Sequence, residues 1–600
     1  MLPFEDSRRL TGPNFFFSGT GAALEVIGVA VDDALLEGWR ARSERALRLL
    51  GWASTAATAS LCGRLHASGA SLAVAAPCDQ LFAATEVNEW ALCATLFALD
   101  PTRWANLETA LRDSAATAQP APLLPPVIDE AAAMLRFRQL ADTEARPALR
   151  RVLEAATARG LMQLLDDETL TLGGAAGGRS WPLAGLPAAD EIPWSTLRNV
   201  PTALVTGSNG KTTTTRLIAA CATAHGWTSG YSCTDGLFVG GATVDSGDYS
   251  GPIGARNILR DSRVEAAVLE TARGGILRRG LAVTRADVAV VTNVSSDHFG
   301  EYGIHDLDAL ADAKLTVAAA VGPTGRLVLN ADDSLLREKA TRLRERFGRE
   351  LPLAWFAEDA DLPLLVAHRA AGGWTCGLRG GRLLLQVGSL DHDLGGLTEL
   401  PLALDGAARH NVANLAAAAL AAAALGIPAG TIGAAFARFG TAASDNPGRL
   451  MRFWWRGVQV LVDYAHNPEG LRAILEVAQR LRGPGRVGML LGHAGNRQDA
   501  ALAQVAAVAA EFKPDLVVVK EIETYLRGRA PGEVPCILSA ELLRLGLPES
   551  AVALRMSEFD AARCALDWAQ PGDVLVLLVH SLAARSAVLE LLQEPGPAQR

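Results

Sequence analysis

"ALVTGSNGKTTTTRLIAACA", residues 203–222, decides the fold. An apolar, β-branched run stops at a short Gly-containing turn, and a Lys-Thr-Thr segment then opens a helix. Gly207 and Gly210 let the main chain turn tightly, so that N–H groups at the helix start, Asn209 among the loop residues, point at phosphate. Lys211 is placed to reach terminal phosphates, Thr212 to offer its hydroxyl to Mg²⁺, and Thr213 to bond phosphate oxygens. The common phosphate loop spells G-x-x-x-x-G-K-[ST] and would need glycine at 205, where this chain has Val205. A bare G-x-x-G is no more than a glycine-rich helix cap. Strand, G-K-T-T and helix in sequence read as a nucleotide site.

Outward from this loop the chain alternates apolar strand, loop and amphipathic helix. "AAVLETA" (266–272), "VAVVTNV" (288–294) and "GRLVLNADD" (325–333) are short apolar runs that end in polar residues. A parallel sheet buried on both faces produces this pattern. A second alternation begins near 445, with "VQVLVDYAHNP", "RVGMLLGHAGN", "DLVVVKE" and "DVLVLLVH". Ligands gather beyond the carboxyl ends of such strands. Residues before 170 mix short strands with long Ala/Leu/Arg helices, and "QPAPLLPPVIDE" (119–130) is a proline-rich linker within them. The expected fold is α/β in four parts. An α+β N-terminal domain spans 1–170 and a Gly/Pro-rich connector spans 171–198. A P-loop-type central domain with a mostly parallel sheet spans 199–444, and a Rossmann-like α/β domain spans 445–600.

Two further strand ends complete the nucleotide site. Glu270 closes one apolar strand, where a hard cation wants an oxygen ligand. Asn293, Asp297 and His298 close the next. Each alone is an ordinary polar strand end, but on successive strands they converge on one sheet edge. In "LDALADAKLTVAAA" (307–320) Lys314 sits in an apolar helix, where a bare ammonium is costly unless paired. Alternatively it snorkels to the surface. Lysine is scarce: of 56 basic residues five are lysine, at 211, 314, 339, 513 and 520, so a lysine hints at a need for an amine.

Composition narrows the function classes. With 600 residues, 49% of them apolar, and a net charge of −9, the chain reads as a multi-domain globular protein without a nucleic-acid partner. The eight cysteines form no metal spacing and read as scattered core residues of a cytoplasmic protein. No signal-peptide pattern opens the chain. "VANLAAAALAAAALGIP" (412–428) is alanine-rich and ends at proline, so a buried helix is expected there and not a membrane span.

Seven motifs occur in order: T-G-S-N-G-K-T-T, L-E-T-A-R-G-G, T-N-V-S-S-D-H, A-D-A-K, L-N-A-D-D, R-H-N-V-A-N and D-Y-A-H-N-P. Together they resemble the Mur ligase superfamily of ATP-dependent amide ligases over roughly 199–600. "TDGLFVGG", "GDYSGPIGARNILRD" and "KEIETYLRGRAPGEV" are similar to the Mur-type half of its cyanophycin synthetase branch. "RRLTGPNFFF" and "ATEVNEWA" resemble that branch's N-terminal domain.

The resemblance implies that ATP, with Mg²⁺, phosphorylates a substrate carboxylate and that an amine then attacks the acyl phosphate. It assigns the phosphates to Lys211 and the first Mg²⁺ to Thr212 and Glu270. His298 takes the part of the second-metal histidine, and Lys314 that of a lysine which becomes a metal ligand when carbamylated. Asn414, three residues after Asn411, reads the adenine. Arg449 reaches phosphate or ribose and Asp463 the ribose, with His466 and Asn467 in the same loop. Closure of the C-terminal domain on the central one brings Arg449 and Asp463 to the phosphate loop. The branch also implies dimers or tetramers.

Two departures matter. Cyanophycin synthetase carries an ATP-grasp ligase before its Mur half, and about thirty residues separate "TLTLGG" from the phosphate loop here, too few to hold one. One ATP-driven site is therefore expected, working alone or beside a separate ATP-grasp protein. Asn496 in "LGHAGNRQD" stands where the branch usually has aspartate. The leading expectation is a carboxylate–amine ligase acting on an amino acid, peptide or cyanophycin-like substrate. The alternative is a catalytically silent nucleotide-binding subunit of a separate ATP-grasp ligase. Arg273, Arg278, Arg279, Arg497, Arg527 and Arg529 either bind an acidic substrate or are the ordinary surface charge of a lysine-poor chain.

Overall fold

An eleven-stranded sheet carries the phosphate loop. Thr202–Thr206 lies inside it between Ala266–Glu270 and Ala286–Val291, both parallel to it. Every residue of Thr202–Thr206 and Ala266–Glu270 is buried, which is why these strands read as continuous apolar runs. Parallel pairing continues through Val321–Asn330, Leu353–Asp359 and Trp374–Arg379 on one side and Ser229–Cys233 on the other. The margins reverse direction, with antiparallel pairs at both edges. Val205 stands beside Glu270 on one neighbour and Val290 on the other. The three strands end level, and their loops share one edge.

The computed structural model describes residues 2–52, 60–107, 129–296 and 299–593. The helix Arg409–Ala424 buries the alanine-rich stretch against the sheet and the helix Lys211–Ala224, with residues 416–422 fully enclosed. Small side chains allow that close approach. Among the described residues no helix is long and apolar enough to cross a membrane.

The C-terminal sheet has six strands, in the spatial order Met451–Trp455, Val458–Asp463, Val574–Leu578, Val487–Leu491, Leu516–Lys520 and Val552–Arg555. All but the first run parallel, and helices cover both faces. At the N-terminal end a four-stranded antiparallel sheet packs on the helices Asp33–Leu50, Leu81–Leu99 and Glu130–Glu144. Main-chain bonds from Thr11 to the Arg279 carbonyl and from Leu281 to the Pro13 carbonyl tie it to the central part.

The stretch 171–198 is more than a connector. Thr169–Leu172 and Arg179–Pro182 pair in a three-stranded sheet, and Trp181, Ile192 and Leu197 pack against Leu149 and Val152. Its glycines serve close packing: a Cβ on Gly177 would lie 2.4 Å from the Arg198 carbonyl oxygen. Most of the proline-rich 119–130 lies outside the described residues. All eight cysteines are free; four are buried, and Cys536 is exposed, contrary to a uniformly core placement.

Candidate functional site

The level strand ends open onto a cleft of ≈ 1430 Å³ walled by the central and C-terminal sheets. The phosphate loop forms its floor. Gly210 has φ +83, and a Cβ there would lie 2.2 Å from Asn414 Oδ1. Gly207 has φ +148, and its Cβ would meet Thr292 Oγ1 at 1.8 Å. Both positions exclude any side chain, so the shortened spelling keeps its glycines where the turn is squeezed between a strand end and a helix.

Neutral hydrogen bonds fix this loop. Asn293 Oδ1 accepts from the Asn209 amide at 2.9 Å, while its Nδ2 donates to the Asn209 carbonyl at 3.2 Å. Thr292 Oγ1 donates to the same carbonyl at 2.5 Å, and Ser208 Oγ bonds the Ser295 main chain. Asn293 therefore braces the loop. Lys211 Nζ donates to the Ser208 carbonyl at 2.9 Å, holding the ammonium over the turn.

Glu270 is 1% exposed and accepts from Thr212 Oγ1 at 2.8 Å and Thr234 Oγ1 at 2.9 Å. A hydroxyl and a carboxylate side by side at a phosphate loop are hard-oxygen donors that fit Mg²⁺, which keeps several waters and takes few protein ligands. Among the described residues no group of three or more His, Cys, Asp or Glu could hold a metal by itself. Lys314 is 3% exposed and lines the cleft, so it does not snorkel to the surface. Asp297 and His298 lie outside the described residues.

Asn414 also lines the cleft. Its Nδ2 donates to Asn411 Oδ1 at 3.0 Å, and its Oδ1 accepts from Thr214 Oγ1 at 3.4 Å. This seats it against the glycine turn. Arg449, Asp463 and His466 line the opposite wall of the same cleft. Asn467 Nδ2 donates to Asn209 Oδ1 at 3.0 Å, and Asn446 Nδ2 to Thr213 Oγ1 at 3.2 Å, joining the two walls. Asp463 accepts from the Leu450 and Ala465 amides at 2.7 Å each, and so shapes the loop that bears Arg449. The Arg449 guanidinium lies 4.4 Å from the Tyr464 ring centroid. Burial works against its charge, but Asp235, Asp463 and Tyr464 outweigh this and hold its pKa above the ordinary arginine value.

Of the six arginines weighed as an acid-binding set, Arg273, Arg278, Arg279, Arg497 and Arg527 line the cleft. Arg529 is spent on Asp499 and Glu533 at 2.7 Å each. Asn496 lines the cleft as well.

Sequence reasoning missed Thr234, Asp235, Arg216, Asn446 and Arg585. Asp235 follows Thr234 in the "TDG" turn, a motif noticed only for its family likeness. Arg585 carries no local signal, since it opens no motif and sits inside an ordinary helix, Leu582–Gln593. Only the approach of distant elements gives these residues a role.

The family model of the Mur ligase middle domain matches residues 205–422, and that of the Mur ligase glutamate ligase domain matches 448–578. The chain is 36% identical to a cyanophycin synthetase of Synechocystis sp. over 412 residues, which cover 68% of this chain and 46% of that protein. It thus spans about half the length of the curated relatives it matches there. It is 30% identical over 389 residues to the UDP-N-acetylmuramoyl-L-alanyl-D-glutamate–2,6-diaminopimelate ligase of Corynebacterium efficiens, covering 62% of this chain and 68% of that one. Among solved structures, E. coli FolC in complex with DHPP and ADP aligns with a TM-score of 0.47 at 18% identity, over 65% of this chain and 88% of that one.

Proposed function

The chain belongs to the Mur ligase family, and from that premise we propose that it is an ATP-dependent ligase which joins a carboxylate to an amine through an acyl phosphate. One observation carries this: the glycine turn with Lys211, the Thr212–Glu270 pair, Lys314 and Arg449 all line one cleft between two sheets.

In this scheme the terminal phosphoryl group of ATP passes to a carboxylate oxygen and ADP departs. The amine nitrogen then bonds the acyl carbon, phosphate leaves with the electrons of the broken C–O bond, and the amine gives up a proton. Lys211 exchanges its bond to Ser208 for the phosphates. Thr212 and Glu270 are the residues that would hold Mg²⁺, which when bound neutralises charge on the transferring group. Lys314, carbamylated, would add a carboxylate to the same site. Arg449 brings a permanent cation from the other wall, and Asn209, Asn293 and Thr213 hold the loop that receives the phosphates. Electrostatic groups fixed before reaction in this way supply much of the rate in phosphoryl transfer.

The substrates in this proposal are an amino acid, or an amine resembling one, and a carboxylate on a peptide or cyanophycin-like polymer. A separate ATP-grasp enzyme would supply any second ligation. The test is an ADP-release screen over pairs of amino acids and short acidic or arginine-containing peptides, with mass analysis of the products. Release that requires both a carboxylate and an amine, with a product lighter than their sum by one water, is the expected result. ATP binding without amine-dependent release from any pair would return the chain to a silent nucleotide-binding subunit.

A further inference from the structure

Where the two walls meet, one buried carboxylate gathers three arginines. Asp235 accepts from Arg216 at 2.7 Å and from Arg585 at 3.1 Å, and Arg449 approaches at 3.9 Å. Arg216 belongs to the phosphate-loop helix, whereas Arg449 and Arg585 come from the C-terminal part, so the carboxylate bridges the cleft. The side chains of Arg216 and Arg585 are 2% and 6% exposed, and that of Asp235 12%.

Burial alone would push the Asp235 carboxyl up; Arg449, Arg216 and Arg585 outweigh it and hold the group below the usual carboxylate range. Asp463 and Glu270 also act on the Arg449 charge, so the cluster holds more than one carboxylate, and Asp235 is the one that all three arginines share. In the cluster, Arg585 Nη1 and Arg216 Nε are enclosed and make no hydrogen bond among the described residues. Asn446 locks the cluster to the phosphate loop, accepting from Arg216 Nη1 at 3.1 Å while donating to Thr213 Oγ1. Gly448 makes room for Arg585, since a Cβ there would lie 2.2 Å from Nη1.

We propose that Asp235 is a positioning residue which latches the C-terminal wall to the phosphate-loop helix through Arg585 and Arg449. Asp235 acts through its arginines and does not itself touch the reacting atoms. Nucleotide can dock on the loop without the latch, but turnover needs both walls together. This inference rests on the ligase scheme above.

The test uses the full chain with D235N, R585A, R585K and the double variant D235N/R585A. Losing one partner of a buried charge pair is expected to lower turnover by about 30-fold or more. The affinity for an ATP analogue with a β,γ-imido bridge stays within about threefold, because the Lys211 turn is intact. The double variant is no slower than D235N alone, because both changes break one contact. R585K restores part of the turnover and R585A none.

Small-angle scattering supplies a readout that needs no turnover. The wild-type chain with Mg²⁺ and the analogue stays compact, and D235N opens. Unchanged turnover in D235N, or additive losses in the double variant with equal compaction of all forms, overturns the latch. If the wild type turns over no substrate pair, the ligase scheme fails, while the scattering comparison still decides the latch.

Discussion

The two walls of the cleft are held in different ways. On the central side the phosphate loop rests on neutral contacts between near neighbours in the sheet: Asn209 with Asn293 and Thr292, Ser208 with Ser295, and glycines pressed against Thr292 and Asn414. On the C-terminal side charge does the holding. At the seam Asp235 of the central side collects Arg449 and Arg585 of the C-terminal side, and within the latter Lys520 lies fully buried against Glu558, with His580 at 3.1 Å. Neutral bonds between adjacent strands make a rigid receptacle. Charge pairs between distant segments can part and reform, as a wall that must close on a substrate requires.

The largest effect tests the rigid wall. Lys211→Ala should lower amine-dependent ADP release by about a thousandfold or more, since it removes a cation from the transferring phosphoryl group. Its melting temperature should stay near wild type, because among the described residues the Lys211 ammonium bonds its own loop, at the Ser208 carbonyl. Activity within tenfold of wild type would break the contrast at its strongest point.

The charged wall is tested by Lys520→Met, which leaves Glu558 buried without its cation. Burial opposes the ionised Glu558, but Lys520 and His580 outweigh it and keep its carboxyl well below the usual range. Denaturant unfolding should show a loss of about 3–5 kcal/mol, and replacing both partners by apolar residues should recover much of it. A loss below 1 kcal/mol would show that the pair is not a support of this wall. Gly207→Ala comes next. Its methyl has no room beside Thr292, so about 1–3 kcal/mol of stability should go, together with nucleotide affinity measured by calorimetry.

His493 gives the two walls different pH responses. Burial first, then Arg497, His466 and His580, push its pKa from 6.5 to about 3. Between those values the unfolded chain binds a proton that the folded chain refuses. Stability should therefore fall as pH drops below about 6.5, by at most about 1.4 kcal/mol per pH unit from this group. His493→Gln should flatten that slope in urea unfolding across pH 4–7, and an unchanged slope would remove His493 from the account. The smallest effect is reserved for Arg529→Ala. Its ion pairs reach the well-exposed Asp499 and Glu533 and add little, so the loss should be about 1–2 kcal/mol, set by its bonds to the Gly495 and Arg497 carbonyls.

The same contrast explains what the sequence discloses. The central wall is local in the chain: Val205, Glu270 and Val290 end neighbouring strands, and each strand carries its polar residue just past its apolar run. Strand pattern and motif together expose it. The scarcity of lysine also carries information, though not of one kind. Lys211 and Lys314 line the cleft, Lys339 and Lys520 sit in ion pairs, and Lys513 is exposed. Asp235 and Arg585 stand 350 residues apart, and no periodicity announces their meeting. The small sheet within 163–182 was hidden for another reason: strands of three or four residues among glycines and prolines have a connector's composition.

The central claim is that a carboxylate is phosphorylated in this cleft before the amine arrives. The most direct measurement supplies the substrate carboxylate labelled with ¹⁸O and follows the label by mass spectrometry. The account predicts one ¹⁸O in the phosphate released with each amide formed, and none when Lys211 is replaced by alanine. Phosphate whose oxygen comes only from water would contradict it.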